Sequence, residues 1–253
     1  MTTYRLAGVE VPRIGLGTNR LTTAREHVTF IREAVAAGVR HIDTAHLYTG
    51  GDSERAIGEA LAGATEEVLV ATKGGYRPGE GRPEVLAAQI EQSLRSLRAD
   101  SIGLYYLHRV DPETPLEESL GAIKGYVDRG VIRHVGISDV TVAQIERARE
   151  VVPVAAVQNP YNLAERDHED VIDFCEREGI AFVPYYPLHG RGGPGVEAAA
   201  GRLGVTGNAV KLAWLLRRSP VVLPIPGTLS IEHLRENLAA LDVDLGGADD
   251  IAA

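Results

Sequence analysis

The chain has 253 residues, a formal net charge of -9 at pH 7, 44% hydrophobic residues and 24% charged residues. These proportions are typical of a folded globular protein and exclude a chain that stays disordered for lack of apolar residues. The Lys and Arg residues are scattered along the sequence rather than collected in one stripe. We therefore expect neither a nucleic acid nor an anionic membrane as partner, and a small-molecule ligand is the better expectation.

The N-terminus has no basic segment followed by an apolar core, and no apolar run approaches the roughly 20 residues that cross a bilayer. We therefore expect a cytoplasmic protein without a membrane partner. The single cysteine, Cys175, shares the apolar face of a predicted helix with Val171 and Phe174. A buried, unreactive thiol is the expected role for such a residue.

Short runs rich in β-branched residues alternate with longer amphipathic segments. We predict strands at 13–17, 41–43, 68–72, 102–107, 132–137, 155–158, 181–185 and 221–225, and helices at 24–37, 53–61, 83–97, 115–129, 142–150, 167–178, 209–217 and 231–241. This alternation is typical of a parallel α/β fold. Eight uninterrupted units favour a single (β/α)8 TIM barrel domain over residues 1–253, with a doubly wound open sheet as the alternative. Residues 4–11 predict an N-terminal β-hairpin that covers one face of the barrel.

Mostly polar residues follow the predicted strands, at the positions where barrels of this kind carry function. In chain order they are Thr18, Asp43, Lys73, His108, Ser138, Gln158, Tyr185 and Gly227, with Tyr48 just beyond the second strand. A lysine ammonium lowers the pKa of a nearby tyrosine from its usual value of about 10, and a carboxylate holds that ammonium in place. The pattern predicts that Tyr48 donates a proton, that Lys73 and Asp43 tune it, and that a neutral His108 orients a substrate oxygen. Taken one at a time, these residues also fit a structural ion pair, a loop aromatic and a wall histidine.

A glycine-rich segment, GRGGPG at 190–195, has the spacing G-x-G-x-x-G. The match is weak because Pro194 is expected to prevent the entry into a helix, so a flexible loop is the alternative. The segment nevertheless follows the seventh predicted strand, where such barrels bind phosphate. We therefore expect Arg191 to meet a pyrophosphate, and Thr228 and Ser230 to cap the last helix, where an anion would also be favoured.

The sequence resembles the aldo-keto reductase family in motifs that run through nearly the whole chain. They are GLGT at 15–18, HIDTA at 41–45 followed by Tyr48, ATK at 71–73, LYYLH at 104–108, GIS at 136–138, VQN at 157–159, YYPL at 185–188, and IPGT at 225–228 with Glu236 and Asn237. The resemblance implies a barrel enzyme that reduces an aldehyde or ketone, with NADP(H) as cofactor and NAD(H) as the alternative. It implies a catalytic group of Asp43, Tyr48, Lys73 and His108, with Tyr48 as general acid, and no metal.

The resemblance also assigns a cofactor site. It places Thr18 and Asp43 in that site, Ser138, Asp139 and Gln158 on the nicotinamide carboxamide, Tyr185 against the nicotinamide ring, Pro187, Leu188 and the loop with Arg191 on the pyrophosphate, and Glu236 and Asn237 on the adenine. Asp139 stands where many members have asparagine. Gly227 and His233 stand where many members have a lysine and an arginine around the 2′-phosphate. Because Arg235, Thr228 and the helix start can supply attraction instead, the expectation remains NADP(H).

Within the family the sequence is most similar to the bacterial branch that includes pyridoxal reductases. The expected substrate is pyridoxal or a carbonyl compound of secondary metabolism. We expect the protein to be a monomer or a weak homo-oligomer. The chain ends about a dozen residues after its last predicted helix, which leads us to expect an open substrate pocket. Two alternatives remain: an NADP(H)-binding regulatory module with little turnover, and a barrel enzyme in which Lys73 forms a Schiff base.

Overall fold

A computed structural model describes residues 2–190, 192–246 and 251. Its strands are Thr3–Leu6 (β1), Val9–Pro12 (β2), Leu16–Gly17 (β3), His41–Asp43 (β4), Leu69–Gly74 (β5), Ile102–Leu107 (β6), Ile132–Ser138 (β7), Val154–Gln158 (β8) and Ala181–Phe182 (β9). Its helices are Arg25–Ala36 (α1), Asp52–Ala60 (α2), Pro83–Leu97 (α3), Leu116–Asp128 (α4), Val142–Val151 (α5), Glu169–Glu178 (α6), Pro194–Leu203 (α7), Gly207–Arg218 (α8) and Ile231–Ala239 (α9). Short 3₁₀ turns lie at Tyr48–Gly51 and Ala240–Asp242.

The predicted N-terminal hairpin is confirmed. Strands β1 and β2 pair antiparallel around a two-residue turn, in which Ala7 and Gly8 both have positive φ, 47° and 81°. This conformation belongs to the tight turns whose twist matches that of the flanking strands. Leu6 and Val11 are fully buried and pack with residues at the starts of the barrel strands, such as Leu69 and Leu104. The hairpin therefore seals the N-terminal end of the barrel.

Strands β3 to β9 form one parallel sheet in sequence order, and the eighth predicted strand closes it into the predicted (β/α)8 barrel. On one side, the N–H of Leu223 donates to the carbonyl of Phe182 at 2.8 Å. On the other, the N–H groups of Gly15 and Gly17 donate to the carbonyls of Pro224 and Pro226 at 3.0 and 3.2 Å. The closing segment is not a regular strand because two prolines leave it without the donors that a ladder requires.

The helices of the outer ring follow the prediction with one exception. Helix α7 was not predicted, and the expectation that Pro194 prevents a helix at this point was wrong. Pro194 occupies the first turn of α7, where the missing N–H has no intrahelical partner to lose and the fixed φ already suits the helix. Val196 and Ala199 form its buried face. Two helices, α7 and α8, therefore follow β9 where the sequence predicted one.

Local signals in the sequence place several other features correctly. The side chain of Thr141 and that of Gln144 form a capping box at the start of α5. Cys175 is fully buried on α6, and burial raises the pKa of its thiol to about 12. Across the described ranges, every helix is too short or too polar to span a bilayer.

Candidate active site

The carboxyl ends of the barrel strands surround a cavity of about 460 Å³. Asp43 is the last residue of β4 and His108 directly follows β6, while Tyr48 begins the turn after β4. All three side chains line the cavity, and Lys73 of β5 lies behind Asp43. The four residues that the sequence predicted as a catalytic group therefore lie together at one end of the barrel.

Lys73 and Asp43 form a buried ion pair. The Lys73 Nζ atom donates to Asp43 Oδ1 at 2.5 Å and to the carbonyl oxygen of Thr44 at 2.8 Å, with 1% and 2% of the two charged side chains exposed. Gln158 Nε2 donates to the second carboxylate oxygen at 2.5 Å. Burial lowers the pKa of Lys73, but Asp43 and then Tyr48 raise it by more, so the net shift is upward. Lys73 is therefore a charged ammonium, which argues against a Schiff base at this position.

Tyr48 lies within reach of both the ammonium and the imidazole. The centroid of its ring is 5.1 Å from Lys73 Nζ and 6.0 Å from the centroid of the His108 ring. Burial raises the pKa of the phenol, and Lys73 opposes this effect without outweighing it, so the pKa lies above its ordinary value of 10.0. The expectation that Lys73 lowers the pKa of Tyr48 is therefore correct for the effect of the lysine and wrong for the net shift. The phenol keeps its proton at neutral pH, which is the form a proton donor requires.

His108 is a neutral imidazole in the cavity wall. Its side chain is 8% exposed, and burial, with smaller effects of Lys73 and Arg109, lowers its pKa to about 2. Within the described part of the chain, its Nδ1 atom has no hydrogen-bond partner. A neutral imidazole carries one N–H donor, and a donor is what the predicted role of His108, orienting a substrate oxygen, requires.

A second polar group lies at the same end of the barrel, in the loops that follow β6, β7 and β9. Asp139 adopts a left-handed backbone conformation, with φ of 55°. Its Oδ1 atom accepts a hydrogen bond from the Tyr185 hydroxyl at 2.6 Å, and its Oδ2 atom accepts one from Arg109 Nε at 3.0 Å. Burial and the bond to Asp139 raise the pKa of Tyr185. Asp139 thus fixes an aromatic ring and a guanidinium group on either side of itself.

The structure brings together most, but not all, of the predicted site residues. The cavity wall contains Thr18, Asp43, Tyr48, His108, Ser138, Asp139, Gln158, Tyr185, Pro187, Leu188 and Gly227. Thr228, His233, Glu236 and Asn237 are not in this wall; Thr228 accepts a hydrogen bond from the backbone N–H of Ser230 at 3.1 Å, and the other three lie on α9. Arg191 lies outside the described residues.

Sequence reasoning missed ten residues of the wall: Gly17, Asn19, Arg20, Leu47, Tyr76, Arg109, Tyr186, His189, Ile225 and Pro226. Most of them are neighbours in sequence of predicted residues, as Arg109 is of His108. Including the last residue of each predicted strand and up to about four residues of the loop after it would have found them, because the loops of a barrel build its active site.

Comparison with known proteins identifies the family of the chain. Residues 13–193 match the profile of the Aldo/keto reductase family. Pyridoxine 4-dehydrogenase of Escherichia coli is 36% identical over 263 residues, which cover 94% of this chain and 92% of that protein. An uncharacterized oxidoreductase of Schizosaccharomyces pombe is 35% identical over 263 residues, which cover 96% and 86% of the two chains.

Solved structures show the same fold. An aldo-keto reductase from Klebsiella pneumoniae in complex with NADP and acetate superposes with a TM-score of 0.86 at 30% identity, over 97% of this chain and 92% of that one. A thermostable aldo-keto reductase in complex with the inhibitor epalrestat superposes with a TM-score of 0.89 at 33% identity, over 98% and 96% of the two chains. The chain therefore belongs to the aldo-keto reductase family. It is an NAD(P)H-dependent oxidoreductase that acts on small carbonyl substrates.

Proposed function

We propose that the chain reduces an aldehyde or ketone to the alcohol with Tyr48 as the general acid. The observation that carries the proposal is the geometry of the cavity wall, where the ring centroids of Tyr48 and His108 are 6.0 Å apart and Lys73 Nζ lies 5.1 Å from the centroid of the Tyr48 ring. Tyr48 holds its phenolic proton and His108 is neutral, so both can donate to one carbonyl oxygen. The hydride for the carbonyl carbon would come from a bound NADPH. The proton that completes the alcohol comes from Tyr48, and the Lys73 ammonium stabilises the phenolate left behind.

The residues opposite Tyr48 fit a nicotinamide. Ser138 and Gln158 carry a hydroxyl and an amide that suit a carboxamide, and Tyr185 offers an aromatic face held by Asp139. Asp139 accepts hydrogen bonds but donates none when ionised, so in this proposal it acts chiefly on Tyr185. Gln158 already uses one amide N–H on Asp43, which leaves its oxygen and its second N–H for the cofactor.

The rest of the cofactor is proposed to run from Pro187 and Leu188 across Gly227 to the start of α9. There Thr228, His233, Glu236 and Asn237 would contact the phosphates and the adenosine. The bound NADP of the Klebsiella pneumoniae relative supports NADP(H) rather than NAD(H). The ratio of kcat/KM for NADPH to that for NADH tests this choice, and a clear preference for NADH would overturn it.

Pyridoxal is the first substrate to test, with carbonyl compounds of secondary metabolism as the second group. Support comes from the name of the Escherichia coli relative and from the aromatic side chains of Tyr48, Tyr76 and Tyr186 in the cavity wall, which suit a flat ring. The enzyme is proposed to work as a single domain, as a monomer or weak homo-oligomer.

The decisive experiment follows NADPH oxidation over a panel of pyridoxal, simple aldehydes, keto-sugars and quinones, with wild type and Tyr48→Phe. We expect Tyr48→Phe to lower kcat/KM by about 10²- to 10⁴-fold, because the proton donor is lost while the ring is kept. NADPH binding, measured by fluorescence titration, should stay unchanged. The matched control is Tyr126→Phe, which removes a phenolic hydroxyl from α4, outside the cavity wall.

Two outcomes would contradict the proposal. Activity of Tyr48→Phe within a few-fold of wild type would remove Tyr48 from the role of proton donor. Tight NADPH binding by wild type, without turnover of any carbonyl in the panel, would instead favour the regulatory module that binds cofactor.

A further inference from the structure

Arg109 lies in the cavity wall next to His108, with part of its guanidinium group unused. Its Nε atom donates to Asp139 Oδ2 at 3.0 Å, and its Cζ atom lies 4.4 Å from the centroid of the Tyr76 ring. Among the described residues, neither of its two terminal nitrogens makes a hydrogen bond. The side chain is 47% exposed, so a ligand in the cavity can reach these donors.

The acidic groups of the cavity wall are already engaged. Asp43 is bonded to Lys73 and Gln158, and Asp139 is bonded to Tyr185 and Arg109. A carbonyl substrate that enters the cavity therefore meets two carboxylates that already have partners and, at Arg109, a guanidinium group with unused N–H donors. In a chain of net charge -9, this is a local site that favours an anion.

The position of Arg109 relative to the proton donor defines what it can touch. The rings of Tyr48 and His108 are 6.0 Å apart, those of His108 and Tyr76 are 4.8 Å apart, and the guanidinium group of Arg109 covers Tyr76. The four side chains form one continuous wall. A flat substrate whose carbonyl lies at Tyr48 and His108 would extend along Tyr76 toward Arg109.

We propose that Arg109 determines substrate specificity by binding an anionic group, a carboxylate or a phosphate, on the far end of a ring-bearing aldehyde or ketone. This proposal rests on the carbonyl reduction proposed above and names the class of substrate for the same site. The two free terminal nitrogens suit a carboxylate or phosphate, since guanidinium groups bind both through paired N–H donors. Arg109 takes no part in the transfer of hydride or proton.

The test compares two aldehydes that differ in charge at the far end of the ring. 4-Carboxybenzaldehyde carries an anion there, and methyl 4-formylbenzoate carries its neutral ester. 4-Formylphenyl phosphate extends the comparison to the second kind of anion. Steady-state kinetics at saturating NADPH are measured for wild type, Arg109→Met and Arg109→Lys. The matched control is Arg129→Met, because Arg129 also lies over an aromatic ring, 4.2 Å from the centroid of Tyr126, outside the cavity wall.

We expect Arg109→Met to lower kcat/KM for the anionic aldehydes by about tenfold or more beyond its effect on the ester, mainly through KM. Arg109→Lys should recover part of the loss because it restores the charge without the paired donors. The preference of wild type for the anionic aldehydes should shrink at high ionic strength, since Arg109 is half exposed. The relative losses with carboxylate and phosphate show which anion the site prefers.

Equal losses for charged and neutral aldehydes would overturn the proposal and leave Arg109 as a residue that only positions Asp139 and Tyr185. An unchanged KM for both anionic aldehydes in Arg109→Met would overturn it as well. If wild type binds NADPH but reduces none of the three aldehydes, nor any carbonyl of the wider panel, the carbonyl reduction itself fails. That outcome is distinct from a failure at Arg109.

Discussion

Two polar side chains on the same strand of the barrel have opposite surroundings. His41 and Asp43 are two residues apart on β4, so their side chains point to the same side of the strand, the interior of the barrel. Asp43 accepts hydrogen bonds from Lys73 and Gln158. His41 is fully buried one level below, and within the described part of the chain neither of its ring nitrogens has a hydrogen-bond partner.

The level of His41, the lower level, is closed, whereas the level of Asp43, the upper level, opens into the cavity. A Cβ atom added to Gly15 would lie 2.7 Å from His41 Nδ1, so the absence of a side chain at Gly15 makes room for the imidazole. The hairpin residues Leu6 and Val11 close the end of the barrel nearest to this level. Burial lowers the pKa of His41 to about 4, with smaller and opposite effects of Asp43 and Lys73. His41 is therefore a neutral residue of the core, whereas Asp43 belongs to a charged network at the edge of the cavity.

The largest expected effect concerns the upper level. Asp43→Asn leaves the buried Lys73 ammonium without its counter-ion, and loss of one partner of a buried pair typically costs about 3–5 kcal/mol. We expect a decrease of this size in the free energy of unfolding at pH 7. Urea denaturation, followed by the fluorescence of Trp214, measures it.

A double variant separates pairing from burial at this level. Asp43→Asn combined with Lys73→Met removes both charges, and such replacements are often neutral or stabilising. We expect the double variant to regain most of the stability that the single variant loses, while both stay inactive in carbonyl reduction. A single variant within about 1 kcal/mol of wild type would show that the network is not held by its charges.

Much of this architecture could be predicted from the sequence because the barrel repeats one simple relation. The carboxyl ends of all the strands lie at the same end of the barrel. Residues such as Asp43, Lys73 and His108 at these positions therefore predict a common site. The eighth strand was predicted from its apolar run, although Pro224 and Pro226 keep it irregular in the structure.

Other features depend on distances that the sequence does not contain. The hydrogen bond between Arg109 and Asp139 joins residues 30 positions apart, and no local sequence pattern predicts it. The net pKa shift of Tyr48 depends on how deeply the ring is buried, which outweighs the lysine next to it. Helix α7 is different, since the i, i+3 and i+4 spacing of Val196, Ala199 and Ala200 was visible and only the interpretation of Pro194 hid it.

The smaller expected effect concerns the lower level and its dependence on pH. His41 has a folded pKa of about 4, below the value of about 6.5 expected in the unfolded chain. Well above pH 6.5 the imidazole is neutral in both states, so its titration does not change the free energy of unfolding. As the pH falls from 6.5 toward 4, the unfolded chain takes up a proton that the folded chain refuses, so stability decreases. By pH 4.5 the loss from this one residue should reach about 2 to 3 kcal/mol.

His41→Leu tests this prediction, because leucine branches at Cγ, as the imidazole side chain does, and has no group to protonate. The free energies of unfolding of wild type and variant are compared at pH 8 and at pH 4.5. At pH 8 the comparison measures packing and the burial of the two ring nitrogens, since both side chains are neutral there. Between the two pH values we expect wild type to lose about 2 to 3 kcal/mol more than the variant. If both lose the same amount, His41 finds a partner for its proton in the folded state, and the lower level of the barrel is as well connected as the upper one.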